Sequence, residues 1–276
     1  MGPIEFWKMS GSGNDFILVD NRDGVVAEQD MSRFVARSCR RRESVGADGV
    51  IFVTGSKEYD FGWRFFNADG GEVEMCGNGG RCVSRFACLK GIAGSEMTFE
   101  TQVGPISAQV EGRVVKVLMP EPRNERMDVD LEMLPGWQSC DFVNTGVPHV
   151  VVQVVDLEKH PVLVQGREIR YHKLFSPEGT NANFMTVMGP DELVVRTYER
   201  GVEDETLACG TGAIASALMA YRRGMVVSPV KVHTRGGEIL TIHLNSGGNG
   251  DRTGERVWLQ GNTSVIYMAT LHDEAL

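Results

Sequence analysis

No apolar run in this 276-residue chain approaches the roughly 18 residues that a membrane-spanning helix needs, so no membrane partner is expected. The opening MGPIEFWKMS lacks the charged-then-apolar pattern of an export signal, and Phe6 stands where a myristoylation motif has Ser or Thr. Positive charge is in deficit: 28 Lys and Arg against 37 Asp and Glu leave a net charge of −9. That disfavours nucleic acid and anionic membrane as partners, though not a small anionic ligand. Cysteine occurs only at 39, 76, 82, 88, 140 and 209, without framework spacing and without a Cys-x-x-Cys pair. Neither a disulfide scaffold nor a dithiol oxidoreductase is expected, and the thiols should be reduced in a cytoplasmic chain. The six histidines form no short-spaced metal pair, so no metal is expected. A P-loop is missing, and GSGNDF has Phe16 where a dinucleotide fingerprint has its third glycine.

What is present suits a globular protein, with 42% hydrophobic and 24% charged residues. At about 150 residues per domain the length suggests two domains. Strand-like runs and glycine turns fill the first half: IEFWKMSGSGNDFILVD, GVIFVTG and DFGWRFFNADG. DMSRFVARSCRRRE predicts a helix capped by Asp30 or Ser32, with Phe34, Val35 and Cys39 on one face and an exposed basic end. After CGNGGR, CVSRFACLKG predicts a second helix, then strands run to the prolines at 120 and 122. The second half repeats this order, with strands, a helix at GREIRYHKLF, strands, CGTG, the helix AIASALMAYRRG and hairpins. HLNSGGNGDRTGER predicts a polar loop between the last hairpin strands. The boundary is placed at 120–130, giving domains of 1–120 plus 263–276 and of 121–262, with TSVIYMATL returning to the first. Mostly period-two patterning indicates an α+β fold of mixed or antiparallel sheet on helix rather than a doubly wound one.

The chemical signal is EMCGNGGRC at 74–82 and its echo LACGTGAIASALMAY at 207–221. A helix start leaves unpaired N–H groups and the positive end of the macrodipole, and glycines there let a carboxylate or phosphate approach closely. A cysteine at the same place has its thiolate stabilised. Singly, Cys-Gly-x-Gly suits a buried thiol beside a turn. Twice, at corresponding places in a repeat, it points to two thiols serving one substrate. One abstracts a proton from carbon and the other donates one to the opposite face, with no cofactor required. Cys39, Cys82, Cys88 and Cys140 are read as small core residues.

At these residues, and at GSGNDFILVD, VGADGV, FFNADGGEVEMCGNGGRC, GTNANFM and YERGVEDETLACGTGA, the chain resembles diaminopimelate epimerases over essentially its whole length. The resemblance implies two pseudo-symmetric domains, each a mixed or antiparallel sheet curled into a barrel-like shape around a central helix, with the active site in the cleft between. It implies Cys76 and Cys209 as the catalytic pair. Asn14, Asn67, Gly77, Asn78, Asn181, Glu199, Arg200, Gly210 and Thr211 would bind substrate, and His149 and Glu199 would adjust the thiol pKa values. The implied reaction is cofactor-independent interconversion of LL- and meso-diaminopimelate for lysine and peptidoglycan synthesis, in a homodimer. Two positions depart from many relatives: Val147 replaces Asn before Pro-His, and Gly49 stands where some have Gln. Two alternatives stay open. One is a proline or hydroxyproline racemase-epimerase of the same superfamily; the other is a non-catalytic carboxylate-binding module.

Overall fold

The computed structural model describes residues 3–131, 134–245 and 256–276; most of the predicted loop at 243–256 lies outside them. The elements begin with β1 (Ile4–Gly11), β2 (Asn14–Asp20), α1 (Glu28–Ser38), β3 (Gly49–Thr54), β4 (Phe61–Asn67) and β5 (Glu72–Val73). Then come α2 (Gly77–Leu89), β6 (Glu96–Thr101), β7 (Gly104–Glu111), β8 (Val114–Leu118), β9 (Arg123–Arg126), β10 (Trp137–Asn144) and β11 (Pro148–Val154). The remainder is α3 (Val162–Arg170), β12 (Asn181–Gly189), β13 (Glu192–Glu199), β14 (Asp204–Thr206), α4 (Gly210–Arg222), β15 (Val230–His233), β16 (Ile239–Asn245) and β17 (Arg256–Leu271). Two compact units result, Met1–Val117 with Gly261–Leu276, and Leu118–Gln260.

In the first unit β1 and β2 form a hairpin turning at Ser12 and Gly13, whose φ values of 56° and 86° give the turn that matches strand twist. β2–β3 and β4–β6 pair in parallel; β3–β4, β6–β7 and β7–β8 pair antiparallel. β17 pairs with both β1 and β8, and Thr263 N donates to Arg113 O at 2.9 Å. β1, β2, β3, β4, β6, β7, β8 and β17 thus close a ring. α2 fills it, buried along most of its length, with Phe86 meeting Trp7 edge-on at 5.2 Å. α1 covers the outside of the sheet, where Met31, Phe34, Val35 and Cys39 pack on Ile17, Val19, Val50 and Phe52. Each such large apolar side chain contributes about 1.5–3 kcal/mol when fully buried.

The second unit repeats the plan. β11–β12 and β13–β15 are its parallel pairs; β10–β11, β12–β13, β15–β16 and β16–β17 are antiparallel. β9 pairs with β10 while Met119 N donates to Val257 O, so the segment between bridges β10 and β17. α4 is the buried central helix and α3 the outer one, with Val162 and Ile169 in a core with Val150, Val152 and Phe184. The fold is α+β with two pseudo-symmetric halves of this kind.

Several elements differ from expectation. α1 starts at Glu28, not at Asp30 or Ser32, and its cap residue Ala27 makes no side-chain bond. Glu28 and Asp30 meet the positive end of the dipole instead, and the Ser32 hydroxyl donates to Gly70 O at 2.9 Å. Arg40 lies beyond that helix, and Arg41 to Glu43 form a turn. α2 and α4 include the glycines that the sequence placed before them. β9 lies within the segment read as a boundary, and ERVWLQGN and TSVIYMATL form the single strand β17. Cys39, Cys82 and Cys140 are buried as expected, whereas Cys88 is half-buried.

Candidate active site

Cys76 is the N-cap of α2, extended at φ −146° and ψ 118°; its Sγ accepts the Gly79 N–H at 3.4 Å, and its carbonyl accepts that of Gly80 at 2.7 Å. β1 approaches this turn closely. A Cβ added to Gly11 would stand 3.1 Å from both Asn78 O and Cys82 Sγ. That approach brings Asn78 to Asn14, its Nδ2 donating to Asn14 Oδ1 at 2.6 Å, while Asn14 Nδ2 donates to Asp48 Oδ2 at 3.1 Å. Asn78 Oδ1 accepts from the buried Arg81 guanidinium at 2.9 Å, which also donates to the Ser12 hydroxyl. Asp48 and Asp15 share Arg41, at 3.0 and 2.5 Å, and Lys8 pairs with Asp15 at 2.7 Å. Burial would raise the Asp15 carboxyl, but its bonds and charge pairing with Arg41 and Lys8 prevail and hold it at about 2. Gly77 is the buried first residue of α2. Asn67 ends β4 opposite Gly49, exposed, at the same end of the sheet as Asn14.

In the second unit Cys209 caps α4 in the same way, with Sγ accepting the Gly212 N–H at 3.4 Å and lying 3.5 Å from Thr211 Oγ1. Gly210 opens the helix, and the Thr211 carbonyl accepts from Thr145 Oγ1 at 3.0 Å. His149 on β11 stands beside Asn181 on β12 and is fully buried. Burial pushes its pKa down to about 3, against the Asn183 hydrogen bond and aided by the charge of Arg200. The Asn181 side chain donates to Pro148 O at 2.9 Å and accepts the Arg200 N–H at 2.8 Å, so it ties β11 to the turn carrying Arg200. Arg200 donates to Glu178 O at 3.1 Å. Burial raises the Glu199 carboxyl above its usual range, against a hydrogen bond from Thr206 Oγ1 at 2.9 Å.

The structure therefore brings together Cys76, Gly77, Asn78 and Asn14 in one unit, with Asn67 on the same rim. In the other it gathers Cys209, Gly210, Thr211, His149, Asn181, Glu199 and Arg200 around the start of α4 and the adjoining strand ends. Each first turn combines a thiol with N–H groups suited to a carboxylate. Sequence reasoning assigned no role to Asp48, Arg81, Thr145 or Asn183, although Asp48, Arg81 and Asn183 lie inside the motifs VGADGV, GNGGRC and GTNANF. The Cys39 and Cys140 thiols are pushed up by burial, to about 11 and about 12. Among the described residues, no cluster of His, Cys, Asp and Glu is arranged to hold a metal ion, and no helix is long and apolar enough to cross a membrane.

A family model described as diaminopimelate epimerase matches residues 6–124 and 142–258. The chain is 46% identical to the diaminopimelate epimerase of Aquifex aeolicus over 99% of both chains. It is 42% identical to that of Archaeoglobus fulgidus, over 96% of this chain and 95% of the relative. Among solved structures, a phenazine biosynthesis protein of the PhzF family from Bacillus anthracis superposes with a TM-score of 0.74 at 16% identity, covering 99% of this chain and 100% of that one. A hydroxyproline epimerase from Agrobacterium vitis gives 0.66 at 14% identity, covering 99% and 93%. These two share the fold. The full-length identities and the family match carry more: the chain is an enzyme that belongs to the diaminopimelate epimerase family of isomerases.

Proposed function

We propose that this chain interconverts LL- and meso-2,6-diaminopimelate by cofactor-independent proton transfer at Cα, supplying lysine and peptidoglycan precursors in the cytoplasm. The observation that carries the substrate is the 46% identity, across 99% of both chains, to an enzyme of that name. One thiolate, Cys76 or Cys209, takes the Cα proton from one face, and the other thiol delivers a proton to the opposite face. The roles exchange with the configuration of the substrate. Charge from the carbanion flows into the neighbouring carboxylate, which first-turn donors at Gly77, Asn78, Gly210 and Thr211 receive. Asn14, Asn67, Asn181 and Arg200 hold the distal amino-carboxylate end, where a guanidinium offers a two-pronged donor. His149 and Glu199 adjust the thiols, and the enzyme works as a homodimer. Support for the thiol roles comes from the repeated cap, each sulfur bonded to the third helical N–H at 3.4 Å.

Deuterium uptake at Cα in heavy water tests this. Wild-type enzyme should exchange LL-diaminopimelate, and both Cys76→Ser and Cys209→Ser should lose at least about 100-fold, the scale of general acid–base catalysis. Exchange with proline and none with diaminopimelate would replace the substrate. Undiminished exchange in both variants would remove the thiols from the mechanism.

A further inference from the structure

We infer that Asn183, which the reading above leaves without a role, is a positioning residue that locks His149 as the neutral imidazole carrying its proton on Nε2. The carbonyl oxygen of Val150 can only accept a hydrogen bond. The Asn183 amide atom 2.8 Å from it is therefore Nδ2. The same Nδ2 lies 3.0 Å from His149 Nδ1, so its second N–H meets that nitrogen and Nδ1 must offer a lone pair. A neutral ring accepting at Nδ1 carries its hydrogen on Nε2.

The amide cannot turn over. Asn183 Oδ1 accepts from Thr197 Oγ1 at 3.0 Å, and it presses on Gly212 so closely that any Cβ there would overlap it. A flip would set oxygen against the Val150 carbonyl. Asn183 is wholly buried, and it touches the very glycine whose N–H meets Cys209 Sγ. One residue thus joins the His149 ring to the first turn of α4.

His149 Nε2 is buried and has no hydrogen-bond partner among the described residues. An unmet buried donor is rare and is kept where a ligand or reacting group completes it. With the ring held neutral by burial, His149 acts as a fixed N–H donor and carries no proton between steps. The inference rests on the proposal that His149 serves the Cys209 end of the site, but its first test does not.

Long-range ¹H–¹⁵N correlation on the ¹⁵N-histidine-labelled full chain, with His149 assigned by loss of its signal in His149→Gln, reads the tautomer directly. The Nε2–H form, unchanged from pH 5 to 8, is expected; an Nδ1–H form or an imidazolium appearing in that window would overturn the inference. Asn183→Asp places a carboxylate on Nδ1 and should move the proton there, with kcat for diaminopimelate falling about 10–100-fold, as for other supporting partners of a site histidine, and KM moving far less. If that variant does not fold, Thr197→Val frees Oδ1 and should produce the same two changes more weakly. A shifted tautomer with unchanged kcat removes the positioning role. The expected tautomer in a wild-type protein inactive on diaminopimelate would instead count against the proposed substrate alone.

Discussion

At residue 49 a side chain is excluded by the strand beside it. Gly49 pairs with Asn67, and an added Cβ would lie 2.5 Å from Phe66 O and 2.8 Å from the Phe65 ring. A Gln placed here would need β3 and β4 to separate. Gly49→Gln is therefore expected to destabilise this chain by about 1–3 kcal/mol, the usual cost of overpacking, read as a lower urea midpoint. A midpoint equal to wild type would show that the strands part easily. Residues of this kind explain what the sequence makes legible. Cys76 and Cys209 stand out because glycine and helix patterning surround each of them locally. Asp48, Arg81 and Asn183 act through partners 34, 69 and 34 positions away, and no local pattern announces such partners.

The two central helices raise a question about what their cap cysteines contribute to stability. Each Sγ accepts a backbone N–H that would otherwise be unmet, which is a structural role independent of chemistry. Serine is among the best N-cap residues and alanine among the poor ones. Cys76→Ser and Cys209→Ser should thus unfold at or above the wild-type temperature while losing turnover. Cys76→Ala and Cys209→Ala should each lose about 0.5–2 kcal/mol as well. Serine variants less stable than the alanine ones would show that the sulfur is held by something other than the cap. The same caps explain why sequence patterning starts both helices a turn late. Glycine costs about 1 kcal/mol in a helix interior, so CGNGG and CGTG look like turns. In the fold, the cap bond and close packing by Gly11 and Gly212 outweigh that local penalty.

Across the whole molecule the repeated order of strands, outer helix, strands, cap cysteine and central helix is legible because each half carries its own period-two and helical stretches. The closing strands are less so, since β17 serves β16 with its first residues and β1 with its last, a pairing across most of the chain length. Stability against acid is a property at this scale too. His149 is ordinarily protonated below about 6.5 in an unfolded chain but here only near about 3, so the unfolded state binds the extra proton between those values. Stability should therefore fall as pH drops through that window, by about 1.4 kcal/mol per unit from this ring alone. Asp15, held at about 2 against an ordinary 3.8, adds a further loss as pH falls below 3.8. Glu199 acts oppositely: its raised carboxyl gives stability that is full below 4.5 and lost as pH rises through its folded value. The net slope is thus a difference, but the His149 part can be isolated. His149→Gln keeps a neutral polar group in the slot and removes the titration, so its urea-unfolding free energy should change less steeply between pH 6.5 and 4.5 than that of wild type. Parallel slopes would mean that the buried ring accepts a proton in the folded protein as readily as in the unfolded one.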